Sequence, residues 1–219
     1  MFFRKFFLTL MASSTLFASS NTVLLDFGGV MTGEPDRALV LNFLCESLEL
    51  LPSEFEKANL EKRQAFAQHG TNDLQFWVEY AASHDISLPQ EWEQQFKAVL
   101  RNAIGVNDEM YALVEELKSK KIPVALLSNI DKRLSTILKE LDLYYPFEPC
   151  LLSCDIGAEK PDPRAYEVAL DLLNAPAHQI VFFDDREENI EAAKQVGLDA
   201  ILFESVSQAR EELAKRKLL

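Results

Sequence analysis

Beyond Gly105 the chain alternates short apolar runs with amphipathic stretches of helical length, and this alternation leaves few ways to fold. The spacing predicts a helix over 108–120, a strand over Pro123–Leu127, a helix over 131–141 and an extended segment over 149–154. It continues with a helix over 163–174, strand Ile180–Phe183, a helix over 187–196, strand Ala200–Phe203 and a last helix over 206–216. Short strands without polar alternation are buried on both faces, and the intervening helices supply the cover. That is the pattern of a parallel sheet in an α/β domain.

One further strand stands apart from this run. Thr22–Phe27 is apolar, of strand length and ended by Gly28-Gly29, but from Asp36 to about Ile104 the signal is helical throughout. Four amphipathic stretches fit, over 36–49, 52–67, 72–84 and 89–104, with Pro52 and Pro89 near helix starts, where a missing N–H costs little. The chain therefore reads as an α/β core, 21–34 and 105–219, interrupted after its first strand by an all-helical insert over 35–104. Trp77 and Trp92 fall in the insert and are expected in its core.

The first twenty residues differ from the rest. Arg4 and Lys5 open the chain, Phe6–Ala18 carries no charge, and Ala18-Ser19-Ser20 supplies small residues, the order of a cleaved secretory signal over 1–20. Its apolar stretch is too short to span a bilayer core of about 30 Å, so export without stable membrane insertion is expected. The alternative is a cytoplasmic protein with an extended terminus.

The chain carries 35 acidic and 22 basic side chains, a net charge of -13, which argues against nucleic-acid binding. The three Cys make no disulfide framework. Cys150 and Cys154 fall in the extended segment, where a rise of about 3.3 Å per residue holds them beyond bridging distance, and buried structural thiols are expected. His69, His84 and His178 have no metal-ligand spacing and read as solvated or capping groups.

In parallel sheets the ligand binds beyond the carboxyl ends of the strands. The residues there are Asp26 with Gly28-Gly29, Ser128 with Asn129, the loop Gly157–Pro161 containing Lys160, and Asp184 with Asp185. Asp26, Asp184 and Asp185 would repel one another unless a hard cation neutralised them, and an all-oxygen ligand set suits Mg²⁺. Lys160 and the Ser128 hydroxyl can hold phosphate oxygens, and a carboxylate facing phosphorus can act as a nucleophile. The inventory reads as phosphoryl transfer.

The order and spacing of these residues resemble the haloacid dehalogenase-like hydrolase superfamily, whose members are mostly Mg²⁺-dependent phosphatases. Its four motifs are matched by Val-Leu-Leu-Asp26-Phe-Gly-Gly-Val30, Ala-Leu-Leu-Ser128-Asn129, Glu-Lys160-Pro-Asp-Pro and Phe-Phe-Asp184-Asp185-Arg-Glu-Glu-Asn189. The resemblance implies a Rossmann-like parallel sheet with the helical insert as a small cap. It implies Asp26 as nucleophile, and Mg²⁺ held by Asp26, the Gly28 carbonyl and Asp184 with support from Asp185. Ser128, Asn129 and Lys160 would hold the phosphoryl oxygens, and Asn189 would fix the loop.

The pattern departs at position 28, where the family normally has a second Asp acting as general acid and base. A Gly there shifts the expected substrate toward phosphates with good leaving groups, such as an anomeric sugar phosphate. Two readings follow: a phosphatase of small phosphorylated metabolites, and a catalytically weak or inactive phosphate- or Mg²⁺-binding pseudoenzyme acting as a sensor or interaction module. Dehalogenation needs no metal and leaves the Asp184-Asp185 pair without a role.

Overall fold

A computed structural model describes residues 21–70 and 72–219; the expected leader over 1–20 lies outside the described residues. Five parallel strands form one sheet: β1 (Thr22–Leu25), β2 (Val124–Ser128), β3 (Cys150–Leu152), β4 (Ile180–Asp184) and β5 (Asp199–Leu202), in the order β3-β2-β1-β4-β5. Neighbouring strands pair in parallel, with Leu25 level with Leu126 on one side and with Phe183 on the other. The fold is therefore α/β with an all-parallel, Rossmann-like sheet.

Because successive side chains point to opposite faces, each strand feeds two cores. Val23, Leu25, Leu126 and Phe183 pack under α5 (Asp108–Ser119) and α10 (Val206–Lys215), where Leu113, Leu117 and Leu213 meet them. Leu24, Leu127 and Phe182 face the other way, onto Tyr166 and Ala169 of α8 (Pro163–Leu173) and Ile190 and Ala193 of α9 (Glu187–Gln195). Full burial of such a side chain contributes about 1.5–3 kcal/mol of transfer free energy.

The helical segment after β1 builds a third core of its own. It consists of α1 (Arg37–Ser47), α2 (Pro52–His69), α3 (Asp73–Ser83) and α4 (Trp92–Ile104), packed around Leu44, Leu48, Phe55, Trp77, Trp92 and Phe96. Asp36 and Asn72 start α1 and α3 by accepting from the amides of Ala38 and Gln75. The helix expected from residue 89 begins three residues later. The Pro89 carbonyl accepts from the Trp92 amide in a turn, so this proline precedes the helix rather than opening it.

Two linkers join this helical unit to the sheet, and they pair with each other. Gly33 N–H donates to Gly105 O at 2.7 Å, Asp36 N–H to Ala103 O at 2.8 Å and Asn107 N–H to Met31 O at 2.9 Å. Gly105 has φ +68 and lies close enough to Glu34 O that a side chain would crowd the ribbon.

The extended segment expected over 149–154 is shorter in the structure. Only Cys150–Leu152 is strand; Ser153–Ile156 forms a helical turn, α7, closed by Gly157 at φ +67. Ser153 Oγ bonds both the amide and the carbonyl of Ile130, which turns the chain away from the sheet edge. The expectation of buried thiols fails with it: Cys154 is exposed, and Cys45 and Cys150 are half-buried. Among the described residues no helix is long and apolar enough to cross a membrane.

Candidate active site

Three strands and one loop deliver the polar and charged residues of the site to the carboxyl end of the sheet. Asp26 follows β1, and its amide donates to Phe183 O at 2.9 Å, so the backbone is still held against β4. Asp184 ends β4 and is fully buried, Asp26 and Lys160 are buried, and Asp185 is exposed. Oxygen atoms of Asp26, Asp184 and Asp185 lie within 4.8 Å of one another. Ser128 ends β2 alongside them and is buried at 3% exposure.

Lys160 sits between two of these carboxylates. Its Nζ donates to Asp26 Oδ1 at 2.7 Å and to Asp184 Oδ2 at 2.6 Å. The lysine is placed there by Asn129, whose Oδ1 accepts from the Lys160 amide at 2.9 Å and whose Nδ2 donates to the Lys160 carbonyl at 2.6 Å. Asn129 thus grips the backbone of the lysine loop, a role not foreseen from the sequence. One hydrogen of Nδ2 remains for a phosphoryl oxygen.

Asp184 is held by two further groups. The Asn189 amide donates to Oδ1 at 2.9 Å and to Oδ2 at 3.0 Å, and the Arg186 N–H donates to Oδ1 at 2.9 Å. Tyr166 in turn donates from its hydroxyl to Asn189 O at 2.8 Å, tying the start of α9 to α8. Asp185 packs against Gly29, which has φ +76; a Cβ at 29 would overlap the Asp185 carboxylate. Gly29 is therefore required on two grounds that sequence reasoning missed, its backbone angle and this contact. Gly28 differs: it lies in the exposed turn after Asp26, and a Cβ there would meet nothing within 4 Å.

The electrostatics follow from this crowding. Burial pushes the Asp26 carboxyl up to about 6; Lys160 opposes the rise and Asp184 adds to it. Burial, and then the neighbouring Asp184, also push Asp185 up. Three carboxylates against one ammonium leave the pocket short of positive charge. The donor set is all oxygen and mostly carboxylate, which fits a hard dication such as Mg²⁺. Asp26, Asp184 and Asp185 are the residues that would hold it.

Protons and metal would then compete for Asp26. Since the raised value means protonation below about 6, the affinity for Mg²⁺ is expected to fall about tenfold per pH unit below that point. Calorimetric titration with Mg²⁺ between about pH 5 and 7 checks this. An affinity flat across that range would remove Asp26 from the ligand set.

Comparison with known proteins places the fold in a family. The family description "haloacid dehalogenase-like hydrolase" matches residues 21–197, which include every residue of this site. The chain belongs to the haloacid dehalogenase-like hydrolases. Curated relatives of this hydrolase include rat bifunctional epoxide hydrolase 2, 32% identical over 59% of this chain and 24% of the relative. A phosphorylated carbohydrates phosphatase of Thermotoga maritima is 31% identical over 51% of this chain and 50% of the relative. The hydrolase thus spans about a quarter of the first of these relatives and half of the second. Among solved structures, a phosphatase of the family from Thermococcus onnurineus superposes with TM-score 0.55 at 19% identity, covering 88% of this chain and 97% of that one. A magnesium complex of a family enzyme from Bacteroides thetaiotaomicron gives TM-score 0.51 at 18% identity, covering 85% and 94%. At these identities the likeness is one of fold.

Proposed function

We propose that this hydrolase is a Mg²⁺-dependent phosphatase of small phosphorylated metabolites, with Asp26 as the nucleophile. The observation that carries the reading is the bridge from Asp26 Oδ1 through Lys160 Nζ to Asp184 Oδ2, with Asp185 alongside. It sets a buried carboxylate, held in orientation, beside cationic and metal-binding groups suited to a phosphoryl dianion. The phosphatase relatives from Thermotoga maritima and Mycobacterium tuberculosis support the same chemistry.

The chemistry proceeds in two displacements. A carboxylate oxygen of Asp26 attacks phosphorus, and the bond to the leaving oxygen breaks with its electron pair on that oxygen. Water then attacks phosphorus of the aspartyl-phosphate, releasing inorganic phosphate and restoring the carboxylate. Lys160, the Ser128 hydroxyl and the free Asn129 amide hydrogen orient the phosphoryl oxygens. Bound Mg²⁺ supplies further positive charge for those oxygens.

Gly28 narrows the substrate. No side chain at 28 protonates the leaving oxygen, so a leaving group that departs without help is favoured, as an anomeric sugar oxygen or an aryl oxide is. The test is a panel of phosphate esters with and without Mg²⁺, read as log kcat/KM against leaving-group pKa. Wild type is expected to show a steep dependence, and Gly28→Asp a flatter one, with poor leaving groups gaining most. Space is no obstacle to that variant, since a Cβ at 28 meets nothing within 4 Å. A shallow wild-type slope with high activity on alkyl phosphates would mean that another group supplies the proton. Binding of Mg²⁺ and phosphate without turnover of any ester would establish the pseudoenzyme reading instead.

A further inference from the structure

Away from the catalytic carboxylates, one buried ionic cluster joins the cap to the core. Lys62 on α2 and Asp73 on α3 are both buried and form an ion pair at 2.6 Å, Nζ to Oδ2. From the core, Arg133 in the first turn of α6 (Lys132–Glu140) reaches the same carboxylate, Nη1 lying 3.1 Å from Oδ1 and 3.2 Å from Oδ2. Arg133 follows the Ser128-Asn129 strand end by four residues, so the contact is made from the helix that leaves the proposed phosphate-binding strand end. Among the described residues one more ion pair links the two parts, Arg101 with Asp108, and it flanks the linker itself.

We propose that Arg133 and Asp73 form a reversible latch that holds the cap closed, with Lys62 as the partner that lets it open. A buried carboxylate stripped of its only cation is costly, but Asp73 keeps Lys62 when Arg133 leaves. Lys62 has no comparable alternative; it is 8% exposed at the side chain and lies 5.3 Å from the Trp77 ring. Arg133 is 34% exposed, so it regains water readily. The asymmetry makes the core side of the cluster the breakable one. The paired linkers with Gly33 and Gly105 supply the matching hinge, since their cross-linker hydrogen bonds are the ones a cap rotation disturbs.

Hydrogen exchange of the full chain tests this. In Arg133→Gln, the amides of Gly33, Asp36 and Asn107 are expected to exchange faster by on the order of tenfold, the scale of one lost charge-assisted contact. Amides of β1 and β4 should keep their rates. The chain has two Trp, both buried in the cap, so unchanged Trp emission shows that the cap itself stays folded. Linker exchange that stays at the wild-type rate would overturn the latch. So would an equal rise in β1 and β4, which would make Arg133 a general stabiliser. Should the Gln variant not fold, Arg133→Lys decides on the same amides: faster linker exchange supports the latch and wild-type exchange overturns it.

Discussion

Asp26→Asn is expected to abolish turnover while leaving the fold intact, with kcat/KM falling by at least about a thousandfold because the amide cannot attack phosphorus. Asn matches Asp in size, and Lys160 keeps its second partner, Asp184, at 2.6 Å. Stability should not suffer. Burial raises the Asp26 pKa from the ordinary 3.8 to about 6, so its contribution to stability is complete below the lower value and is lost as pH rises through the upper one. At neutral pH the metal-free wild type carries a desolvated charge that the variant lacks. The thermal midpoint of Asp26→Asn without metal should therefore equal or exceed that of wild type at pH 7.5. Activity above about a tenth of wild type would refute the nucleophile assignment, because losing a covalent step costs several kcal/mol.

Lys160→Met is expected to damage both fold and function. The ammonium is 1% exposed and is shared by Asp26 and Asp184, so removing it leaves two buried carboxylates facing each other. Breaking a buried pair from one side costs about 3–5 kcal/mol, a large part of the stability of a domain this size. Catalysis should fall by about a hundredfold or more as the phosphoryl charge loses a fixed cation. Mg²⁺ should recover much of the lost stability and little of the rate, since it can neutralise the carboxylates but cannot take the position that Asn129 gives the lysine. Thermal melts with and without Mg²⁺, alongside kcat, measure both effects. Equal stability of variant and wild type in EDTA would show that the bridge is not the main neutraliser of these acids.

The sheet and the strand-end residues could be read from the sequence because their causes are local. Apolar runs such as Val23–Leu25 and Val181–Phe183 need cover on both faces, and the breaker or polar residue after each run marks where it stops. The helix starts expected at 36, 72 and 131 fall within one residue of those observed, and in the structure Asp36, Asn72 and Asp131 each accept from an amide two or three residues on. What escaped depends on register between distant segments. The clamp of Asn129 on the Lys160 backbone spans 31 residues, and the fit of Asp185 onto Gly29 requires β1 and β4 already side by side. The pairing of Asp73 with Arg133 lies 60 residues apart and carries no periodic signal. Cys154 was misjudged because its exposure follows from a helical turn set by Ser153 and Gly157, not from the apolar run before it.

Acid quenching of a single turnover with phosphorus-labelled substrate tests the central claim most directly. The phosphatase reading predicts a protein-bound phosphoryl group that survives acid, is cleaved by hydroxylamine as an acyl phosphate is, and maps after borohydride reduction to Asp26. Release of labelled phosphate with no bound intermediate, or label mapped to any other residue, would contradict it.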